Sequence, residues 1–136
     1  MWILYAVLAA IFASLTAILA KVGLQGIDSH LATAIRTVVV LLLAWGMVFI
    51  TGSQKDIIIL TRQNMLFLVL SGLATGFSWL CYYKALQYGP VSKVAPIDKL
   101  SVVLTIILAA VFLGETVTIK TGVGAALLVA GILVLL

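Results

Sequence analysis

The stretch "VAPIDKLSVVLTIILAA", residues 94–110, joins an apolar run to a proline and two adjacent ionisable side chains. The run is apolar enough to cross a membrane, yet Pro96, Asp98 and Lys99 lie close together near its start. An ionisable side chain within a bilayer costs several kcal/mol unless it is paired with an opposite charge or hydrated. We therefore expect these residues to belong to a polar layer inside a membrane protein.

The composition of the whole chain is that of an integral membrane protein. Of its 136 residues, 65% are hydrophobic and 9% are charged, far from the balance of a soluble domain. The net charge of +4 comes from Lys and Arg residues that are scattered singly, so no basic patch points to a nucleic-acid partner. Cys81 is the only cysteine, which excludes an internal disulfide.

The apolar runs predict five transmembrane helices in a single domain over residues 1–136. A helix needs ~20 apolar residues to cross the hydrocarbon core, and polar or glycine-bearing segments separate the runs. The predicted helices cover residues 2–20, 31–50, 65–83, 92–113 and 119–136. The predicted fold class is therefore an all-α integral membrane protein.

The basic residues in the predicted loops are divided evenly between the two membrane faces. An odd number of spans places the chain ends on opposite faces, A at the N-terminal side and B at the other. Face A receives Lys55, Arg62 and Lys120, and face B receives Lys21, Lys84 and Lys93. Because this balance hardly selects an orientation, insertion both ways round and an antiparallel homodimer are permitted, as is a parallel one.

Small residues recur at four-residue spacing on two of the predicted helices. Gly72 and Gly76 form a G-x-x-x-G pattern in the third helix, and Gly122, Ala126 and Ala130 follow one another in the fifth. Helices in membranes associate closely through such residues. These positions are candidates for a dimer interface or for packing within one chain.

Charged and aromatic side chains share one depth near face B. With a rise of ~1.5 Å per residue, Asp98 lies roughly 8 Å inside that face if Lys93 marks the surface. Arg36 comes six residues after His30 and lies at roughly 9 Å by the same arithmetic. Pro96 adds a helix kink, because it leaves the carbonyl of Ser92 without its helical partner. The residues expected to bind substrate or a coupling ion are Thr16, Arg36, Trp79, Tyr83, Asp98, Lys99 and Ser101.

A structural interpretation of the same residues remains open. Arg36 and Asp98 can form an ion pair that only holds helices together, with Lys99 extending its ammonium group to face B. Trp79 and Tyr83 also fit an interfacial aromatic belt.

The chain carries no recognisable catalytic motif. It has one His and one Cys, and it lacks the HExxH, G-x-S-x-G, Walker A and CxxC patterns. We expect no enzymatic activity, no catalytic residue, no metal and no cofactor. Kinked helices near ionisable groups are typical of transporter sites, and the energy for transport would then come from a gradient. Proton coupling through Asp98 is the simplest candidate, and exchange or facilitated diffusion is equally compatible.

Several short motifs resemble the EamA-type members of the drug/metabolite transporter superfamily. They are Arg36 in the second helix, "YKAL" at 83–86, "GPVSKVAPI" at 89–97, "LGETVT" at 113–118 and the glycine-bearing last helix. Most members of that family carry two five-helix repeats of inverted topology and export metabolites or drugs by alternating access. The resemblance implies that this chain is one half-size repeat, which needs a second copy or a homologous partner chain.

The expected function is export of small polar or amphipathic metabolites or drugs by a dimer in a bacterial or archaeal inner membrane. The expected partners are membrane lipid, a small-molecule substrate and a second half, as a homodimer or a heterodimer. Two alternatives remain open. One is a flippase for a lipid-linked substrate that works with a second small membrane subunit, and the other is a non-transporting subunit of a membrane complex.

Overall fold

The computed structural model describes residues 1–136 and contains only helices and their connections. The α-helices are α1 (Trp2–Gly23), α2 (Ser29–Thr51), α3 (Arg62–Tyr88), α4 (Val91–Asp98), α5 (Leu100–Phe112) and α6 (Ile119–Leu135), with a 3-10 helix over Ser53–Ile59 between α2 and α3. Because lipid offers no hydrogen bonds, a spanning segment must satisfy its backbone internally, which a helix does.

Four helical segments are long and apolar enough to cross a membrane. They are Trp2–Gly23, Ser29–Thr51, Arg62–Tyr88 and Val91–Phe112, the last of which combines α4 and α5. The remaining apolar helix, α6, has 17 residues and is therefore about 26 Å long, slightly less than the ~30 Å hydrocarbon core. The predicted all-α membrane fold is confirmed, with a fifth helix that is shorter than the others.

The third helix extends beyond its apolar part at both ends. Residues 65–83 were the expected span, whereas α3 covers Arg62–Tyr88. The additional residues at its two ends include polar ones such as Gln63, Lys84 and Gln87. Gln and Lys are good helix formers, so the helix continues into the membrane interface where hydropathy no longer marks it.

The fourth span is interrupted at Lys99. α4 ends at Asp98 and α5 begins at Leu100, and the N–H of Lys99 donates to the carbonyl of Pro96 at 3.0 Å, a tighter 3-10 step. Pro96 itself lies within α4. Since proline has no N–H, the helix is already one hydrogen bond short at this point, and the break follows three residues later.

Two compact units divide the chain, and each is described by itself. Unit 1 comprises Met1–Ile18 and Tyr88–Leu136, and unit 2 comprises Leu19–Gln87. In unit 1, α6 packs against both α4 and α5 and buries Ile132. In unit 2, the small core contains Leu24, Tyr83 and Leu86.

The small-residue stripe of α6 does not face the helices that α6 packs against. The packed side of α6 follows Thr121, Ala125, Leu128 and Ile132, which are buried or half-buried. Gly122, Ala126 and Ala130 each follow one position after a half-buried residue (Thr121, Ala125 and Val129), about 100° around the helix, and are exposed. In α3, Gly72 is exposed and Gly76 is half-buried. A Cβ atom added at Gly72, Gly76 or Gly122 would meet no atom within 4 Å.

Candidate functional site

Arg36 of α2 lies against two aromatic rings of α3. The guanidinium carbon is 4.3 Å from the ring centroid of Trp79 and 5.3 Å from that of Tyr83. The two aromatic residues are four positions apart, so they share one face of the helix. Both distances are within the range of a cation–π interaction, and Arg36 is half-buried.

The surroundings of Arg36 are among the most buried parts of unit 2. Tyr83 is 4% exposed. The ring of Tyr82 packs edge-on against the ring of Tyr83, with the two ring centroids 6.4 Å apart. One turn before Arg36, the buried hydroxyl of Thr33 donates to the carbonyl of Ser29 at 2.8 Å. This bond satisfies the donor of the hydroxyl within its own helix. Thr33 was not predicted from the sequence, although its spacing from Arg36 on α2 was the available signal.

The guanidinium of Arg36 has no acidic partner within its unit. Unit 2 contains two acidic residues, Asp28 and Asp56, and neither is paired with Arg36. Asp28 caps α2 by accepting a hydrogen bond from the backbone N–H of His30 at 2.8 Å. This hydrogen bond lowers the pKa of Asp28 below its ordinary value, because it favours the ionised carboxylate.

The two adjacent charged residues of the fourth span, Asp98 and Lys99, pair with each other. In unit 1, Lys99 Nζ lies 3.3 Å from Asp98 Oδ2. Their side chains are 53% and 39% exposed, respectively. Arg36 and Asp98 belong to different units, and their predicted pairing stays a prediction. Of the other candidates in unit 1, Thr16 is half-buried and Ser101 is exposed.

A polar cleft lies in unit 2 where α1 ends and α2 begins. It has a volume of about 550 Å³ and is lined by residues 24–28, Lys21, Leu86 and Gln87. Lys21 Nζ donates to the carbonyl of Leu86 at 2.5 Å, and the side-chain oxygen of Gln87 is buried without a hydrogen-bond partner. Lys21 was expected only among the loop charges. Its bond to Leu86 was not predicted, since nothing in the hydropathy pattern links α1 to the end of α3.

The residues that could bind a ligand are cationic, aromatic and hydroxyl groups. No cluster of three His, Cys, Asp or Glu side chains forms a metal site. The chemistry available around Arg36 is charge recognition and ring stacking. The structure brings Arg36, Trp79 and Tyr83 together, while their role in binding stays a prediction.

Comparison with known proteins identifies the family. The EamA-like transporter family matches residues 1–136. A protein of a Sinorhizobium species, named an uncharacterized transporter in the cobO 3' region, is 46% identical over 134 residues, which cover 98% of this chain and 95% of that protein. An uncharacterized protein of Methanocaldococcus jannaschii is 31% identical over 81 residues, covering 60% of this chain and 59% of that protein. No solved structure matches the chain.

The family match extends over all the helices described above, including the interrupted fourth span and the Arg36 site. The helices of spanning length agree with a protein that works within the bilayer. The chain therefore belongs to the EamA-like transporter family and is a membrane transporter.

Proposed function

We propose that this chain is one half of an exporter that moves small polar or amphipathic metabolites or drugs by alternating access, as a dimer. The observation that carries this proposal is the Arg36 guanidinium held between α2 and α3 against Trp79 and Tyr83. A charged side chain inside a span is costly, and in membrane proteins it commonly marks a substrate or ion pathway. The aromatic rings add a surface on which an amphipathic solute can stack.

A dimer is proposed because this chain offers one repeat of a fold that usually has two. The evenly divided loop charges permit both orientations, and two oppositely inserted copies would reproduce an inverted repeat. The exposed stripe of Gly122, Ala126 and Ala130 supports this proposal, since small residues allow close approach of helices from a second copy.

The break in the fourth span is a point at which α4 and α5 can change their relative orientation during transport. The break at Lys99 separates α4 from α5, and interrupted helices near ionisable groups are common at transporter sites. Either protonation of Asp98 or a charged substrate would alter the balance among Arg36, Asp98 and Lys99. Such a change in charge would favour one access state over the other.

Comparative metabolite profiling tests this proposal without requiring that the substrate be identified first. Cells that produce the wild-type chain are compared with cells that produce the double variant Arg36→Gln, Asp98→Asn. We expect at least one small solute to accumulate outside the cells with the wild type and to fall to background with the variant. The matched control is Arg62→Gln, Glu115→Gln, which also removes one base and one acid but outside the polar layer.

Membrane-fraction immunoblots establish that all variants are present at equal levels. Identical external solutes for the wild type and the Arg36, Asp98 double variant would contradict the proposal. Consistent purification of the chain with a larger complex, together with no solute difference, would assign it a non-transporting role instead.

A further inference from the structure

We propose that Arg36 binds an oxyanion, so that the solute moved by this transporter carries a carboxylate or a chemically similar group. This inference rests on the proposed function and names its substrate class. It begins from the contacts of the guanidinium, which lies 4.3 Å from the Trp79 ring centroid and 5.3 Å from the Tyr83 ring centroid.

The aromatic contacts leave the hydrogen-bonding capacity of Arg36 unused. A guanidinium has five N–H donors in a planar fork and no acceptor, and cation–π attraction acts through the charge rather than through these donors. Within unit 2, no oxygen atom accepts a hydrogen bond from Arg36. The geometry that fits such a fork is the pair of oxygens of a carboxylate or phosphate, bound bidentately.

The rings also reduce the cost of holding Arg36 in place. Tyr83 is 4% exposed, and Trp79 is half-buried on the same face of α3. A long side chain that is already restrained loses less conformational entropy when a ligand binds. Arg36 is therefore preorganised for an anion, in contrast to a freely moving lysine.

The charge balance within the spans favours an anion over a cation. The ionisable Lys, Arg, Asp and Glu side chains well inside the apolar spans are Arg36, Asp98 and Lys99. Within unit 1, Lys99 lies 3.3 Å from Asp98 and offsets its charge, and within unit 2 Arg36 has no acidic partner. An uncompensated charge in a low-dielectric region favours binding of the opposite charge. An anionic solute supplies this opposite charge, whereas a cationic solute would add a second positive charge next to Arg36.

Three small aromatic probes of similar size distinguish these charges. Benzoate, benzylammonium and benzamide carry negative, positive and no net charge. The chain contains three tryptophans, so Trp2→Phe and Trp45→Phe leave Trp79 as the only one. Its fluorescence is titrated with each probe, up to about 10 mM, on the full-length chain purified in a neutral detergent. We expect saturable binding of benzoate, at least about tenfold tighter than that of benzylammonium or benzamide.

Substitutions of Arg36 then connect the anion preference to the guanidinium. Arg36→Gln should abolish the preference for benzoate over benzamide, and Arg36→Lys should weaken benzoate binding by about tenfold or more, because an ammonium group lacks the planar fork. The matched control is Arg62→Lys at the start of α3, which should leave benzoate binding unchanged. Circular dichroism and a single elution peak establish that each variant is folded.

Three results would overturn the inference. They are tighter binding of benzylammonium, no saturable benzoate signal up to the highest concentration, and benzoate binding that is unaffected by Arg36→Gln. An anionic lipid could supply the same chemistry, so phosphatidylglycerol is titrated separately. A response to phosphatidylglycerol without a response to benzoate would overturn the assignment to a transported solute.

The binding measurement is independent of transport. Exported solutes that depend on Arg36 and Asp98, combined with no benzoate binding, would reject the oxyanion site and retain the exporter. Benzoate binding without any exported solute would reject the exporter and retain the site.

Discussion

At the scale of single residues, the charged side chains within the spans contact neighbours that offset the free-energy cost of removing them from water. The guanidinium of Arg36 lies against Trp79 and Tyr83, an arrangement that contributes about 1–2 kcal/mol when partly desolvated. Asp98 and Lys99 are adjacent and pair with each other. Arg36 is stabilised by aromatic rings and Asp98 by the adjacent ammonium group. In both cases part of the charged group stays accessible to other partners.

The cap of α2 by Asp28 predicts a dependence of stability on pH. The backbone N–H of His30 lowers the pKa of the Asp28 carboxyl below its ordinary value of 3.8. Its contribution is therefore fully present above that value and is lost as the pH falls through the lower folded pKa. Asp28→Asn retains a capping oxygen but does not titrate in this range.

The measurement is the midpoint of unfolding in mixed detergent micelles between about pH 7 and pH 3. We expect the wild type to lose more stability than Asp28→Asn below about pH 4. Asp56→Asn serves as the control, because it removes an acid from the 3-10 helix without affecting the cap. Parallel pH curves for the wild type and Asp28→Asn would show that the cap does not titrate as proposed.

At the scale of elements, the interrupted fourth span differs from the other helices. α4 has eight residues and α5 has 13, and the break at Lys99 divides a segment that is otherwise long enough to cross the membrane. The sequence predicted a kink at Pro96, whereas the interruption lies at Lys99. Proline removes one hydrogen bond and crowds the carbonyl of the turn before it, whereas the break lies in the turn after it, which two adjacent charges occupy.

Replacement of the proline should make this span continuous. Pro96→Ala restores an N–H that can bond to the carbonyl of Ser92. Spin labels at Val91 and Phe112 report the length of the span by pulsed electron resonance. In the variant, the distribution of distances should become narrower and approach about 32 Å, the length of an unbroken helix.

A matched control is Ala95→Ser, which changes the neighbouring residue without restoring a hydrogen bond. Its distance distribution should equal that of the wild type. If Pro96→Ala also leaves the distribution unchanged, then the break at Lys99 is caused by the charged pair rather than by the missing N–H.

At the scale of the whole molecule, the chain is a membrane transporter with four helical segments of spanning length and one shorter apolar helix, α6. Its exposed surface is rich in large apolar side chains, as is expected where lipid or another helix replaces water. The same surface includes the unpacked small residues of α6. A second copy would cover part of it, and the orientation of that copy determines which residues meet.

The even distribution of loop charges predicts that both orientations are populated. Single cysteines at Lys55 and at Lys93, in a Cys81→Ala background, are labelled from outside intact cells by a reagent that does not cross the membrane. Because the positive-inside rule hardly distinguishes the faces, each site should be labelled in part of the population. Both sites are exposed in the structure, so burial within the chain does not block the reaction.

The control adds two lysines to one face, for example Ser53→Lys and Gln63→Lys, which should direct that face to the cytoplasm. Labelling at Lys55 should then disappear and labelling at Lys93 should become complete. Labelling of only one site in the unmodified chain would mean a fixed orientation, and an antiparallel homodimer would be excluded.

The all-helical fold and its apolar helices were predictable from the sequence, although the fifth helix, α6, is shorter than the other four. Long apolar runs must be helical in lipid, because every backbone polar group has to be satisfied within the segment. The polar ends of α3 were not predicted, since helix formation there depends on propensity rather than on apolarity. Likewise, the motifs from "YKAL" to "LGETVT" indicated the family, which the match over residues 1–136 confirms.

The sequence by itself therefore determined an all-helical membrane transporter of the EamA-like family. Only the tertiary structure decided that Arg36 stacks on Trp79 and Tyr83, that Lys99 pairs with Asp98, and that the α6 stripe is exposed. The physical reason is that these helices are apolar around most of their circumference. Hydropathy then determines the depth of each helix in the membrane but not its rotation about its own axis. That rotation determines which neighbour each side chain contacts.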